Sequence, residues 1–188
     1  MENIIEALIK ESILVKERII AESIPNIQKI VDLCINTLRD GGKIILCGNG
    51  GSAADCQHIA TELLVRFKKN RKSLPAIALT TNTSTLTACG NDFGFNAIFS
   101  RQLESLGNKN DLLLAISTSG KSKNIIEAVK KAKVLDMKTI AFTGENGGDL
   151  ARSCDLSFIV PSRVTARIQE AHACVGHIIC ELIEDTLG

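Results

Sequence analysis

The chain has 188 residues, of which 45% are hydrophobic and 23% are charged, and its formal net charge is +1. This length suits one domain with a full core, and the near balance of charge argues against a nucleic-acid-binding protein. No apolar run is long enough to span a membrane, and the charged residues among the first apolar ones are unlike a secretory signal. We therefore expect a cytoplasmic protein with no membrane and no nucleic-acid partner.

Two amphipathic helices are predicted before the first strand, over residues 2–20 and 25–39. Gly41 and Gly42 follow the second helix and are typical of a helix C-terminus. The two helices carry more apolar surface than one small sheet needs, so we expect residues 1–42 to be a helical oligomerisation segment. Packing of this surface within the chain is the alternative.

From residue 43 onwards, strand and helix patterns alternate. Strands are predicted at 43–47, 75–80, 111–117, 138–143 and 155–160. Helices are predicted at 52–67, 84–90, 95–106, 122–135, 148–153 and 164–186. This alternation predicts an α/β fold in which a five-stranded parallel sheet has helices on both faces, a three-layer α-β-α sandwich. Ligands bind such sheets at the carboxyl ends of the strands.

A glycine-rich turn, residues 48–52 (GNGGS), follows the first strand. Its glycines allow a sharp turn and a close approach of backbone to ligand, and Ser52 is predicted to cap a helix whose N-terminus favours anions. The spacing also partly matches the GxGxxG/A dinucleotide fingerprint. However, the second strand ends in threonine and asparagine and lacks the carboxylate that binds the ribose. No nucleotide cofactor is therefore expected.

A second polar loop, residues 117–122 (STSGKS), follows the third strand and places four hydroxyls at a helix start. Hydroxyls and backbone N–H groups suit a phosphate monoester and need no metal. The GKS end resembles a P-loop, but Ala115 stands where the first P-loop glycine falls. A third segment, residues 90–94 (GNDFG), is predicted as a turn whose polar side chains offer hydrogen bonds to sugar hydroxyls. An ordinary turn is the alternative.

The helix after the first turn carries His58, Glu62 and Arg66 at a spacing of four residues. Residues at this spacing share one helix face, so the three form either a surface charge ladder or part of a site. On the last helix, His172 and His177 are five residues apart, about 140° around the helix, and so do not obviously share a site. The residues alone do not choose between these two histidines.

Two composition features have plainer explanations. The seven cysteines are odd in number and include no CxxC pair, so we expect reduced core thiols rather than disulfides or a metal cluster. The basic run at residues 68–72 (KKNRK) is predicted to be a solvated helix end and loop, with phosphate steering as the alternative.

Five segments, far apart in the chain, together resemble one family. They are residues 47–55 (CGNGGSAAD), 57–63 (QHIATEL), 90–94 (GNDFG), 116–122 (ISTSGKS) and 167–172 (RIQEAH). In combination they resemble the phosphoheptose isomerases, which belong to the sugar isomerase (SIS) domain proteins. The serine-rich loop alone marks only the wider SIS group, and the segments with Glu62 and at 167–172 make the resemblance specific.

The resemblance implies a flavodoxin-like SIS domain over residues 1–188, with the sugar-phosphate-binding core at 43–188. It implies a cytoplasmic homotetramer that converts sedoheptulose 7-phosphate to D-glycero-D-manno-heptose 7-phosphate through an enediol, the first step of ADP-heptose and lipopolysaccharide core biosynthesis. Glu62 would be the general base and His177 the acid. The implied substrate-binding residues are Asn49, Gly50, Gly51, Ser52, Asn91, Asp92, Ser117, Thr118, Ser119, Ser122 and Gln169.

Some family members also hold one zinc ion per subunit, at positions that match His58, Glu62, Gln169 and His177. One geometric objection arises, because Gln169 and His177 are about 12 Å apart along a regular helix. The alternative class of function is a non-catalytic SIS module that binds a partner protein, such as one that associates with the replication initiator. Glu62 together with His177 discriminates the two, because a binding module needs no acid and base facing one pocket. Another SIS isomerase, acting on arabinose 5-phosphate, fits the motif set less well.

Overall fold

Five parallel strands form the sheet in the computed structural model, which describes residues 1–188. They are β1 (Ile44–Gly48), β2 (Ala76–Ala78), β3 (Leu112–Ile116), β4 (Lys138–Gly144) and β5 (Leu156–Val160). Their order in the sheet is β2-β1-β3-β4-β5, and every neighbouring pair is parallel. The predicted five-stranded parallel sheet is confirmed, and its order is that of flavodoxin-like folds.

Eight helices cover the sheet, in two layers. They are α1 (Glu2–Glu22), α2 (Ile24–Arg39), α3 (Gly51–Leu64), α4 (Thr83–Phe93), α5 (Ser100–Leu106), α6 (Lys123–Val134), α7 (Gly148–Ser153) and α8 (Thr165–Leu187). Helices α2, α3 and α8 pack on one face with α1 against α8, and α4 to α7 cover the other face. None of these helices combines the length and apolar character that crossing a bilayer requires.

The strands are apolar at nearly every position because both of their faces are buried. In β1, Ile44 and Leu46 point to the core beneath α2, α3 and α8, while Ile45 and Cys47 point to the core beneath α4 to α7. Alternate residues of a strand face opposite sides of the sheet, so each strand contributes to both cores. The three-layer sandwich predicted from the sequence is therefore confirmed, with two helices preceding the first strand.

The structure corrects two local predictions near the candidate site. Ser52 does not cap α3, because the helix already begins at Gly51 and Gly50 is the capping residue, with a left-handed φ of 56°. The segment 90–94 is not a turn. Helix α4 continues to Phe93, because the Asn82 side chain caps its start by accepting the Thr85 N–H at 3.0 Å and nothing ends the helix before Gly94.

Two further helix boundaries differ from those predicted. The helix predicted over 95–106 is a 3-10 turn over Phe95–Ala97 followed by the separate helix α5. Helix α3 ends at Leu64, earlier than the predicted 67, and the chain then leaves in an irregular loop. That loop contains the basic run 68–72. Its hydrogen bonds to Glu184 on α8 determine where α3 ends, although the local sequence carries no signal for a helix end there.

Candidate active site

Two polar loops meet at the carboxyl edge of the sheet, where the chain changes direction. Strands β1 and β3 are neighbours, but β1 connects onward through α3 to β2 on one side, and β3 connects through α6 to β4 on the other. A crevice forms at such a switch point, and ligands of open α/β sheets bind there. The glycine turn 48–52 and the hydroxyl loop 117–122 lie on its two sides.

The hydroxyl loop is folded tightly against its neighbours. Ser117 is buried and its Oγ lies 3.0 Å from Ser122 Oγ, while Ser119 Oγ accepts the Lys121 N–H at 3.2 Å. Gly120 has a φ of 63°, and a Cβ there would overlap the backbone of Gly147, so glycine is required. The loop therefore presents hydroxyl and N–H donors at the start of α6, in a conformation fixed by packing.

A pair of asparagines ties the two loops together. Asn49 Nδ2 donates to Asn124 Oδ1 at 2.9 Å, and Asn124 Nδ2 donates back to Asn49 Oδ1 at 2.8 Å. Asn124 is only 2% exposed, so this reciprocal amide pair is shielded from water. Asn124 was not among the sequence-predicted residues. A substrate contact by Asn49 has to come from its backbone, from its second amide N–H or from the remaining lone pair of its amide oxygen.

Gln169 lies over the glycine turn. A Cβ on Gly51 would collide with the Gln169 side-chain amide, so the absence of a side chain at Gly51 makes room for it. Ser52 is buried in the first turn of α3. Asn91 and Asp92 are exposed in the last turn of α4, where Asn91 Nδ2 donates to Asp92 Oδ1 at 2.8 Å. These residues thus offer polar groups from α3, α4 and α8.

A second cluster forms where α3 and α8 run side by side. The helices are parallel, since Gly51 contacts Gln169 near their starts and His58 contacts His177 further along. His58 Nε2 lies 2.8 Å from His177 Nε2, so one ring donates its N–H to the other, and His58 Nε2 lies 3.4 Å from Glu62 Oε1. The Glu62 side chain is 18% exposed, which leaves its carboxylate open to a ligand.

This cluster settles two alternatives that the sequence left open. His58 and Glu62 are part of a three-residue cluster with His177, and Arg66 makes no hydrogen bond or ion pair with them, so a three-member charge ladder is not present. Of the two histidines on α8, His177 joins the cluster. The tilted ring of Phe67 packs against it with ring centroids 5.7 Å apart.

His172 is a core residue. It is fully buried between Phe142 and Phe158, and its Nε2 lies 3.0 Å from the carbonyl oxygen of Thr143. Burial lowers the pKa of this imidazole from 6.5 to about 4, and the hydrogen bond to the Thr143 carbonyl offsets only part of that effect. His172 is therefore neutral and structural.

The donor set of the cluster fits a zinc ion. One ligand atom from each of His58, Glu62 and His177 lies within 4.8 Å of the other two. Two imidazoles and one carboxylate form a common ligand set of catalytic zinc, which keeps a further position open. Gln169 lies on the same uninterrupted helix as His177, about 12 Å away along its axis, and so cannot join this cluster within one chain.

Asp55 is a residue that sequence reasoning missed. It lies three residues before His58 on α3, and its Oδ2 is buried without a hydrogen-bond partner. Burial raises the pKa of the Asp55 carboxyl, and the nearby His58 and His177 partly counteract this. Its spacing from His58 and Glu62, at one and two helix turns, is the sequence signal that could have found it.

The basic run 68–72 is an exposed loop, as predicted, except at Arg71. Lys68 pairs with Glu181 and Lys69 with Asp185 on the surface of α8. Arg71, by contrast, is buried against Glu184, and both side chains are only 2% exposed. A one-dimensional charge pattern does not reveal this, because the partner lies on α8 more than a hundred residues away.

The chain is similar to known proteins of one family. A family model described as SIS domain matches residues 9–144. The chain shares 52% identity with a phosphoheptose isomerase from Clostridium acetobutylicum, over 100% of this chain and 96% of that protein. Among solved structures, a phosphoheptose isomerase from Neisseria gonorrhoeae superimposes with a TM-score of 0.93 at 43% identity, covering 98% of each chain. One from Francisella tularensis gives 0.94 at 41% identity, covering 97% of each chain.

The family match covers well over half of the chain, and fold and site agree with it. The chain belongs to the SIS domain family and, within it, to the phosphoheptose isomerases.

Proposed function

We propose that the protein interconverts sedoheptulose 7-phosphate and D-glycero-D-manno-heptose 7-phosphate. The observation that carries this proposal is the cluster in which the Glu62 carboxylate and the His177 imidazole lie together. A ketose–aldose isomerisation moves a proton between adjacent carbons, and it needs a base at the carbon and an acid at the carbonyl oxygen. The membership of the chain among the phosphoheptose isomerases supports the choice of substrate.

In this mechanism Glu62 removes the proton from the carbon next to the carbonyl, and the electron pair forms the carbon–carbon double bond of the enediol. His177 donates a proton to the carbonyl oxygen as that oxygen gains charge. The protonated Glu62 then returns its proton to the former carbonyl carbon, while His177 recovers a proton from the neighbouring hydroxyl. No atom leaves the substrate, and both residues regain their starting protonation states.

The hydroxyl loop supplies the phosphate site. Ser117, Thr118, Ser119 and Ser122 lie at the N-terminus of α6, where hydroxyls, backbone N–H groups and the helix dipole favour an anion. The glycine turn lies on the other side of the crevice, joined to the start of α6 by the Asn49–Asn124 pair, and Gln169 lies against Gly51 of that turn. We propose that these groups, with Asn91 and Asp92, bind the sugar hydroxyls and hold the chain of carbons.

The distance between the two parts of the site supports an oligomer. Along α3, Glu62 lies about 16 Å from Gly51 beside the phosphate loop, whereas a seven-carbon chain with bonds of about 1.5 Å spans only about 10 Å. A second copy of the chain that places its His–Glu cluster near this phosphate loop would close the gap. It would likewise let Gln169 of one copy reach the ion held by another.

The N-terminal helices provide a surface for such an assembly. Apolar side chains on α1 and at the start of α2 are about half exposed, namely Ile4, Ile5, Leu8, Ile9, Ile13, Leu14, Ile20 and Ile24. A contiguous exposed apolar face of this kind is typical of a protein–protein interface. We propose that residues 1–42 form the oligomerisation segment of a homotetramer in the cytoplasm, although Val15 and Ile19 also pack into the core of their own chain.

We propose a zinc ion at His58, Glu62 and His177, with one ion per subunit. Bound there, zinc would polarise the substrate carbonyl and stabilise the charge that develops on its oxygen. His177 would then be a ligand rather than the acid, while Glu62 would still accept the carbon-bound proton through a carboxylate oxygen left free, and the crevice residues would orient the sugar. Metal analysis of protein purified without chelator, compared with His58→Ala, tests the assignment: loss of zinc in that variant is expected.

The test of function is turnover of sedoheptulose 7-phosphate, followed by an assay for the aldose product. Glu62→Gln should abolish turnover while calorimetry still detects substrate binding, because only the proton acceptor is lost. Glu127→Gln, which changes an exposed carboxylate on α6, is the matched control and should keep full activity. Absence of turnover in the wild-type protein would instead favour the non-catalytic SIS module that binds a partner protein.

A further inference from the structure

A buried ion pair joins the end of α3 to α8 next to the candidate catalytic residues. Glu184 lies on α8 two helix turns after His177, so the two residues lie on roughly the same face. Arg71 lies in the loop that follows α3, nine residues after Glu62. Neither residue belongs to the catalytic, substrate-binding or metal positions described above, and no step of the mechanism uses them.

Glu184 binds the loop through both of its oxygens. Its Oε1 accepts the Phe67 N–H at 2.9 Å, and its Oε2 accepts the N–H groups of Lys68 at 2.6 Å and Lys69 at 2.8 Å. Burial alone would raise the pKa of this carboxyl, but the three N–H groups and Arg71 outweigh it and lower the pKa to about 2. The carboxylate therefore stays charged and fixes the path of the loop.

Arg71 binds the end of the helix that carries Glu62. Its Nε donates to Glu184 at 3.1 Å, its Nη2 donates to the carbonyl oxygen of Glu62 at 2.8 Å, and its Nη1 donates to that of Leu63 at 2.8 Å. The last carbonyls of a helix have no partner within the helix, so this guanidinium completes the C-terminus of α3. The planar fork of arginine allows these contacts at once, and lysine does not offer that geometry.

The network reaches both candidate catalytic residues. Arg71 holds the backbone of Glu62, and the Phe67 N–H held by Glu184 belongs to the residue whose ring packs against His177. A buried ion pair is weak evidence for stability alone, because well-packed apolar residues often stabilise a fold as well. The effect of this ion pair is instead to fix the backbone that carries Glu62 and the loop whose Phe67 ring contacts His177.

We propose that Arg71 and Glu184 are positioning residues that hold the Glu62 carboxylate in register with the His177 imidazole. This inference rests on the proposed isomerase function, because the geometry matters for a reaction that passes one proton between two carbons. When a catalytic group is displaced by about 1 Å from its substrate, the rate of the chemical step can fall on the order of a hundredfold. The phosphate loop lies on other elements, so ground-state binding of the substrate is not expected to depend on this pair.

The experiment compares the full-length variants Arg71→Lys and Glu184→Gln with wild-type protein, below the onset of their unfolding. We expect kcat to fall at least about tenfold while KM changes by less than about twofold, since the lost interaction orients the acid–base pair rather than the phosphate. Arg71→Lys keeps the charge and provides the milder change if Glu184→Gln folds poorly. Unchanged kcat in the folded variants would overturn the proposal.

A matched control is the ion pair of Asp111 with Lys43, two residues that precede β3 and β1 and contact neither α3 nor α8 through their hydrogen bonds. Asp111 is also a buried carboxylate, which pairs with Lys43 and accepts the N–H groups of Lys43 at 2.9 Å and Asn108 at 2.8 Å. Asp111→Asn should therefore lower stability without lowering kcat. An equal fall of kcat in Asp111→Asn would show that the effect is one of general stability, and would also overturn the proposal.

A spectroscopic readout separates this inference from the proposed function. The nitrogen resonances of the His58 and His177 rings report how the two rings are held in the protein without substrate, through the Nε2–Nε2 hydrogen bond when no metal is bound and through ligation when zinc is bound. We expect these resonances to shift towards those of free imidazoles in Arg71→Lys and to stay in place in Asp111→Asn. If wild-type protein shows no isomerase activity, the proposed function fails while this measurement still tests the positioning; unshifted resonances in Arg71→Lys would contradict it.

Discussion

Replacement of His172 should flatten the dependence of stability on pH below neutrality. The folded protein keeps this imidazole neutral, with its pKa lowered to about 4, whereas an unfolded chain protonates it near 6.5. Because the folded-state pKa is the lower one, the stabilisation is fully present above 6.5 and is lost as the pH falls towards 4. At about 1.4 kcal/mol per pKa unit, the whole difference is on the order of 3 kcal/mol, of which about 2 kcal/mol is lost by pH 5.

The assay is urea unfolding of wild-type protein and His172→Gln at pH 7.5, 6 and 5, at one fixed protein concentration. Glutamine keeps an N–H donor for the Thr143 carbonyl but does not titrate, so we expect the stability advantage of wild-type protein to shrink by about 2 kcal/mol between pH 7.5 and pH 5. As a control, the slope of the unfolding free energy against urea concentration should be equal for the two proteins at each pH, which shows that both unfold in the same transition. If the difference in unfolding free energy between the two proteins were the same at all three pH values, the reasoning would be refuted.

Three further outcomes are expected. Asn49→Ala and Asn124→Ala should each destabilise the protein by about 1–2 kcal/mol in urea unfolding, because each single change leaves the other amide unpaired. The double variant should cost little more than either single variant, and full additivity would argue against the amide pair. Ser122→Ala should raise KM for the sugar phosphate roughly tenfold through loss of one hydrogen bond to a charged group, as steady-state kinetics will measure, and an unchanged KM would remove Ser122 from the phosphate site. If α1 forms the proposed oligomer interface, Ile9→Glu should reduce the mass measured by light scattering while the circular dichroism spectrum stays that of a folded protein, and an unaltered mass would contradict the proposal that α1 forms this interface.

The layered fold could be predicted from the sequence because its signals are local. Each strand is a short apolar run and each helix has a striped pattern, so the alternation after residue 43 is visible within windows of a dozen residues. The positions of the two polar loops follow directly, because the topology places them at the ends of β1 and β3.

Helix ends and buried polar contacts were harder to predict, because tertiary neighbours decide them. Gly50 rather than Ser52 caps α3, since its left-handed φ lets the helix begin one residue earlier. Asn91 and Asp92 are helical because α4 extends through Gly90, which local pattern marks as a break. Arg71 looks like one charge in a solvated run, and only the folded structure shows its partner on α8.

The contact between α3 and α8 has a consequence for how the chain acquires activity. His58 and His177 are separated by 119 positions, and Phe67 and Glu184 by 117, so joining them closes a very large loop. Contacts of such high sequence separation form slowly, whereas individual helices form within microseconds. Recovery of enzymatic turnover during refolding should therefore lag behind recovery of the helical signal. Turnover then reports when α8 docks on α3.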